Sequence, residues 1–309
     1  MGSPLTSSNF RRLLDKRLRM VDDDTRKRRE LESMIPKLTN RISSDKAWEE
    51  YFSVTGVPDI PSFNGKLTTL NVYPGFHKKI EAAEFGAQVV AQRKLMDDKK
   101  YTALDNIAEG LRNSAHRVQE KKLVRIFSNI TSVAFDFMTS EEGVSLASSS
   151  HTTKADGVST ATGFDNAGTS AMNATSIAAT RLLMRRFRSD IGERFETGNN
   201  LAIICPDNLA DTAEEVNRTP KSLNTAEGNV NMQANRYTVI PYPLLDESTT
   251  TSWGMVDMDA MKKDLIWIDR IKPESKRTID WSTYALQQAI YTRFAVGFID
   301  WRWIFWNTV

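Results

Sequence analysis

Cysteine is almost absent. Cys205 is the single one in 309 residues, and it sits in the apolar run LAIICP. That excludes an internal disulfide and any cysteine-built metal cluster. The run reads as a buried strand, with no basic group beside it to activate the thiol. Histidine is nearly as scarce: His77, His116 and His151 do not fall at metal-ligand spacing. No dinucleotide fingerprint occurs, and NGKLT is not a phosphate loop, because Ile60 and Leu67 stand where a glycine and a hydroxyl are required. The acidic runs at 22–24 and 257–259 read as solvated faces rather than cation ligands. The sequence therefore predicts no enzyme, no cofactor and no metal.

Long apolar runs are missing too. Nothing approaches the ~18 residues of a membrane helix, and the most aromatic stretch, VGFIDWRWIFW (296–306), is interrupted by Asp300 and Arg302. MGSPLTSSNFRRLL has no apolar segment after its charges, so no secretion signal is expected. A strong charge of one sign is also lacking. The formal net charge of +2 argues against a dedicated nucleic-acid binder. What remains, 40% hydrophobic and 26% charged, is folded composition with enough chain for two lobes.

The first region, to about residue 38, reads as helix. Phe10, Leu13, Leu14, Leu18 and Val21 form a narrow stripe in a charged surround. Such a helix must lie on something. Its own domain and a neighbouring copy are both open at this point. Residues 54–76, rich in proline and glycine, read as extended linker. Residues 67–100 read as a long polar hairpin around Gly86, too polar for a core of its own. Another copy of the chain is a natural support for it. The clearest helix runs from Thr102 to about Ile130, roughly 40 Å long. Leu104, Ile107, Ala108, Leu111, Ala115 and Val118 share one face, and Thr102 with Asp105 resembles a capping box.

Half of residues 139–172 are Ser, Thr or Gly, which reads as surface loop. Serines beside His151 invite a hydrolase reading, but no Gly-x-Ser-x-Gly elbow presents them. Helix (174–193), strand (201–205), helix (after Asp207, a predicted N-cap) and strand (237–242) then make a compact lobe. Further strands are predicted at 265–268, at 284–296 by alternation, and at the C-terminus. That last strand would put Ile299, Trp301, Trp303 and Phe305 on one face, under the long helix.

This α+β order resembles the major capsid proteins of tailed bacteriophages, with the Hong Kong 97-type fold, and most nearly the Mu-like major head subunits. The residues that carry the resemblance are YPGFHKKIEAAEFGAQVVAQRKLMDDKKY before the long helix and SLASSSHTTKADG after it. TSIAATRLLMRRF and NNLAIICPDNL in the lobe, and AIYTRFAVGFIDWR near the end, extend it. The resemblance implies an N-terminal arm (1–60), an E-loop (61–101) lying over an adjacent subunit, and a peripheral domain with a spine helix (102–138). It further implies an axial domain (139–281) and final peripheral strands (282–309).

By the same resemblance the chain would self-assemble, as hexamers and pentamers, into an icosahedral shell around double-stranded DNA. It would be built in the host cytoplasm with portal, scaffolding and decoration proteins as partners, and end up in the virion. Contacts between copies would fall on Phe10, Leu13, Leu14, Phe76, Ile80, Phe85, Val89, Arg93 and Lys94. The core of spine helix and last strand would hold Leu104, Ile107, Leu111, Val118, Trp301, Trp303 and Phe305. Some relatives crosslink an E-loop lysine to an asparagine. Lys94, Lys99 and Lys100 are candidates here, but acidic and asparagine partners in register are not evident, and crosslinking is not predicted. The readings set against this one are an encapsulin-like nanocompartment shell and the Ser/His hydrolase.

Overall fold

The computed structural model describes residues 7–98, 100–219 and 231–309, without the side chains of 7–15 and 96. The side chains of Phe10, Leu13 and Leu14, and all of Lys99, therefore lie outside the described residues. In chain order the elements are α1 (Ser7–Glu32), α2 (Ile35–Leu38), β1 (Asn40–Ser43), β2 (Trp48–Val54), β3 (Pro74–Glu81), β4 (Ala83–Ala91), α3 (Arg93–Asp97), α4 (Tyr101–Ser128), β5 (Met138–Ser140) and β6 (Ala167–Gly168). Then come α5 (Ala174–Met184), β7 (Leu201–Cys205), α6 (Ala210–Arg218), β8 (Thr238–Pro241), β9 (Trp253–Asp257), α7 (Met258–Asp264), β10 (Leu265–Ile279), β11 (Leu286–Phe298) and β12 (Ile304–Asn307).

Three sheets organise these strands: β1-β10-β11-β4, β6-β12-β9-β7-β8 and β2-β3-β5. The apolar runs LAIIC and WGMVD become β7 and β9, inner strands buried at every position. Gly254 is required there, because a Cβ would stand 2.4 Å from the Trp306 ring. β10 and β11 form a long hairpin whose base is buried and whose distal part alternates between more and less covered positions.

The long helix α4 begins one residue before the expected start. Its N-cap is Lys100, with no side-chain cap. The Thr102–Asp105 capping box does not form, because Asp105 is engaged by Arg17 of α1. Leu104 and Leu111 are buried, while Ile107 and Val118 are half-buried. Arg112, Gln119 and Glu120 are buried as well, since α1 and α2 cover a second side of the helix. Asp207 is not an N-cap either: a short 3-10 turn intervenes before α6.

The expected hairpin at 67–100 is not one unit. β3 and β4 are separated by Ala82 alone and belong to different sheets. β3 pairs with β2 and β5, and β4 with β11. The hairpin connection that remains is β2–β3, joined by residues 55–73, with β5 pairing on the other side of β3. The C-terminal strand is shorter than expected. Residues 301–303 form a turn, and only Ile304–Asn307 is strand. The strand lies in the lobe's sheet, beside β9, and both of its faces are buried. Phe305 and Trp303 are buried, as is Trp301, but alternation does not separate an inner from an outer face here. The expected boundary at 281/282 likewise falls inside the β10–β11 hairpin.

Trp303 is fully buried, donates from Nε1 to the Asp300 carbonyl (2.8 Å) and meets Phe127 of α4 edge-on. We expect Trp303→Ala to cost about 3–5 kcal/mol in denaturant unfolding, as for other large core truncations. Cys205 is fully enclosed, and burial, helped by Asp207, Asp246 and Glu214, pushes its thiol up to about 12. We expect it to resist a thiol reagent at pH 8 in the native protein and to react at once in denaturant.

Candidate assembly surfaces

The β2–β3 projection carries an unusual surface. Along WEEYFSV the side chains alternate between more and less covered positions, and Phe52 and Val54 face outward. In the 55–73 connection Ile60, Phe63 and Leu67 are 89%, 70% and 85% exposed. Prolines and glycines keep this segment extended, so it cannot fold back to bury them. Exposed apolar side chains in such a run mark a contact surface. The sequence signal for β2 was the aromatic and β-branched content of WEEYFSV, with Trp48, Tyr51, Phe52 and Val54, which the reading above passed over.

The residues expected at contacts between copies fall in several environments. Arg93 and Lys94 are exposed on α3; Arg93 pairs with Asp97 (3.3 Å) and lies over the Tyr284 ring. Phe76 is half-buried, with Lys154 over its ring. Phe85 stacks on Phe294 at 4.8 Å, and Val89 packs against Leu111, Ala115 and Ile290. Ile80 is a correction. It is 1% exposed in the chain's own core, under β11, where a Cβ on Gly297 would come within 2.7 Å of it. Period-two alternation cannot distinguish a strand facing its own domain from one facing a neighbour.

The N-terminal helix docks on its own chain. Leu18 is buried, and Asp22 accepts two hydrogen bonds from Arg112 (2.7 and 2.6 Å) and one from Ser275 (2.9 Å). Arg112 also donates to the Pro273 carbonyl. The pair ties α1, α4 and β10 together. Burial alone would raise the Asp22 carboxyl, but Arg112, Ser275 and Arg277 outweigh it and hold it below the usual carboxylate range. Arg28 to Glu109 adds an exposed pair on the same helix contact.

His151 does not form a serine–histidine dyad. Its ring is buried and stacked on Trp301 at 4.2 Å. Nδ1 lies 2.9 Å from Glu142, and Nε2 faces the Leu146 carbonyl and Asn166. Ser148 and Ser150 bond each other instead, and among the described residues no serine hydroxyl reaches the imidazole. The 139–172 segment, expected as surface loop, is pinned by this network, with Leu146, Ala147 and Phe164 buried.

Beside it, Arg302 bonds Asp300 (2.9 Å) and Asp190 (2.7 Å) and covers the Trp301 ring. Burial, reinforced by Asp300, pushes the nearby Asp264 carboxyl up to about 7. Among the described residues no group of acids, histidines or cysteine could hold a metal ion, and no helix is long and apolar enough to cross a membrane.

A family model described as phage capsid protein matches residues 78–307. No curated protein matches the chain. Among solved structures, the mature capsid of bacteriophage PhiM1 is 12% identical, with 88% of this chain and 85% of that one covered and a TM-score of 0.55. A chain of Microbacterium phage Oxtober96 is 9% identical, covering 88% and 90%, at 0.53. The capsid of an empty GTA particle is 11% identical, covering 87% of each chain, at 0.51. Identities this low speak for a shared fold alone.

Asp22→Ala would leave Arg112 buried without its partner. We expect a loss of about 3–5 kcal/mol by calorimetry, as for other broken buried pairs. Asp264 titrates the other way from a paired carboxylate. Its folded value lies above its unfolded one, so its contribution is fully present below about pH 4 and lost as pH rises through about 7. Asp264→Asn should therefore raise the melting temperature at pH 8 and leave it unchanged near pH 4.

Proposed function

Because the chain belongs to the phage capsid protein family and is a structural, non-enzymatic subunit of a capsid shell, we propose that it is a major head subunit of the Hong Kong 97-type, nearest the Mu-like group. Copies would tile an icosahedral shell, as hexamers and pentamers, around the double-stranded DNA of a tailed phage. Assembly would take place in the host cytoplasm, with portal, scaffolding and decoration proteins as partners. The arm would end near residue 47. The β2–β3 hairpin would be the element that reaches over an adjacent subunit, and α4 with the β10–β11 sheet would form the peripheral domain. The β6-β12-β9-β7-β8 sheet with α5 and α6 would be the axial domain.

The observation that carries this reading is the extended 55–73 segment, whose exposed Ile60, Phe63 and Leu67 no part of the described chain covers. A shell supplies the missing partner, and many modest contacts of this kind add up through repetition. The α1 helix, by contrast, already has its partner in α4.

Ile60→Glu combined with Phe63→Glu tests the reading. These side chains contribute nothing to the subunit's own core, so the variant should fold with an unchanged melting temperature. In sedimentation velocity the parent should run as particles of many copies and the variant as free subunits or small oligomers. Equal assembly of both would contradict the assignment of this hairpin.

A further inference from the structure

Hydrogen bonds between Thr55 and Tyr73, at 2.9 to 3.0 Å, close the β2–β3 connection. Between them, residues 56–72 make none among the described residues. In the middle of this stretch stands Asn64–Gly65, the one Asn-Gly step in the sequence. Asn64, Gly65 and Lys66 form a bend, and all three are exposed. Gly65 has a φ of +86°, and no atom lies within 4 Å of the place a Cβ would take.

An asparagine side-chain amide lies within reach of the next residue's backbone nitrogen, and attack by that nitrogen closes a five-membered ring. Three things normally prevent it. The N–H is held in a helix or sheet ladder, the next side chain obstructs the approach, or the fold keeps the chain from turning. Asn64 has none of these protections. Gly65 brings no side chain and the widest backbone freedom, and its N–H has no partner among the described residues. Two other asparagines with small successors are held. Asn113–Ser114 lies inside α4, and Asn113 Oδ1 accepts from Arg29 (2.8 Å). Asn166, before Ala167, is fully buried, and its amide donates to the Leu146 and Ile304 carbonyls (2.8 and 3.2 Å).

We propose that Asn64 is a self-modification site, at which the free subunit converts its own amide to an aspartyl or isoaspartyl carboxylate. The Gly65 nitrogen gives its proton to water or hydroxide and bonds to Asn64 Cγ. The Cγ–Nδ2 bond breaks, and Nδ2 leaves as ammonia. Water then opens the succinimide. Breaking the new N–Cγ bond gives aspartate, and breaking the original peptide bond to Gly65 gives isoaspartate, with the main chain rerouted through Cγ. Nothing is oxidised or reduced. One neutral amide becomes one negative charge.

The chemistry stands without the shell reading; its effect on assembly rests on that reading. The new carboxylate adjoins Phe63 and lies three residues before Leu67, in the segment assigned to a neighbour's surface. A charge seated there without a partner is unfavourable. The isoaspartyl form also adds a methylene to the main chain and displaces one side of the bend against the other. A subunit already in a shell has the segment seated, so reaction requires local opening first. Asn64 would therefore age in subunits left unassembled, and the aged chains would drop out of the assembling pool.

The test uses the purified full chain, separated by sedimentation into free subunits and particles. Each fraction is held at pH 8 and 37 °C for several days and sampled by peptide mass mapping and isoaspartate methyltransferase labelling. Free subunits should gain about one mass unit on the peptide ending at Lys66, as a charge-changing modification of one residue requires. They should take up the label there, faster at pH 8 than at pH 6, with Asn113 and Asn166 unchanged. An Asn64→Gln chain, which would need a six-membered ring, should show neither change. In particles the gain should be about ten-fold slower or more, because only transiently opened segments react. Asn64→Asp should keep the parent's melting temperature and give fewer particles.

No change at Asn64 in free subunits, or an equal gain on the same peptide of Asn64→Gln, would overturn the inference and leave the shell reading intact. Equal rates in free subunits and particles, or parent-like assembly of Asn64→Asp, would uphold the chemistry and remove its effect on assembly. A parent chain that forms no particles would sink the shell reading, while the free-subunit arm would still decide the modification.

Discussion

Phe127, in the last turn of α4, meets the rings of Tyr242, Trp303 and Trp306 at 6.2 to 6.4 Å. That aromatic contact holds the long helix to the lobe's sheet, and the rest of the fold hangs on it. Trp306 lies in β12, which carries the lobe through β9 to β7 and β8. Upstream, the same helix holds α1 through Arg112 and Asp22, and it flanks β11. One helix therefore fixes the sheet with the long hairpin, the lobe and the arm relative to one another. A shell subunit needs that rigidity, since contacts on one part position contacts on another.

Against this frame of buried aromatics, the 55–73 segment stands out as chain that is not held. Its apolar side chains face solvent, and its proline and glycine content prevents collapse onto the subunit. Polar residues are distributed in the opposite sense. Asp22, Arg112, Glu142, His151, Asp300 and Arg302 are inside and paired; Asp22 with Arg112 and Arg302 with Asp190 join segments far apart in sequence, while Glu142 with His151 and Asp300 with Arg302 fix local turns. Buried ionic groups cost desolvation, and they contribute here by fixing one arrangement of arm, loop and C-terminal turn.

Much of the fold could be read from the sequence where periodicity was strong. The long helix, the LAIIC strand, the helix after it and the β11 alternation lie within a few residues of expectation. The failures share a physical cause. Partners of strands are set by contacts remote in sequence, so HKKIEAAEFGAQVV gave two strands but not their assignment to different sheets. VGFIDWRWIFW showed alternation, yet Arg302 found Asp300 and Asp190, and the chain turned at 301–303. Asp105 looked like a cap and was taken by Arg17. Of the proposed assembly surface, the turn-rich linker was legible as extended chain. The role proposed for it needed the exposure of Ile60, Phe63 and Leu67, which follows from what the rest of the molecule leaves uncovered. Ile80, on a strand of the same character, went to the core because Gly297 makes room for it.

The most direct measurement is cryo-electron microscopy of the expressed, purified chain. Closed icosahedral particles, with density for residues 55–73 running from one subunit onto the surface of the next, are the predicted result. Monodisperse single subunits, or closed particles in which that segment stays on its own subunit, would contradict the account.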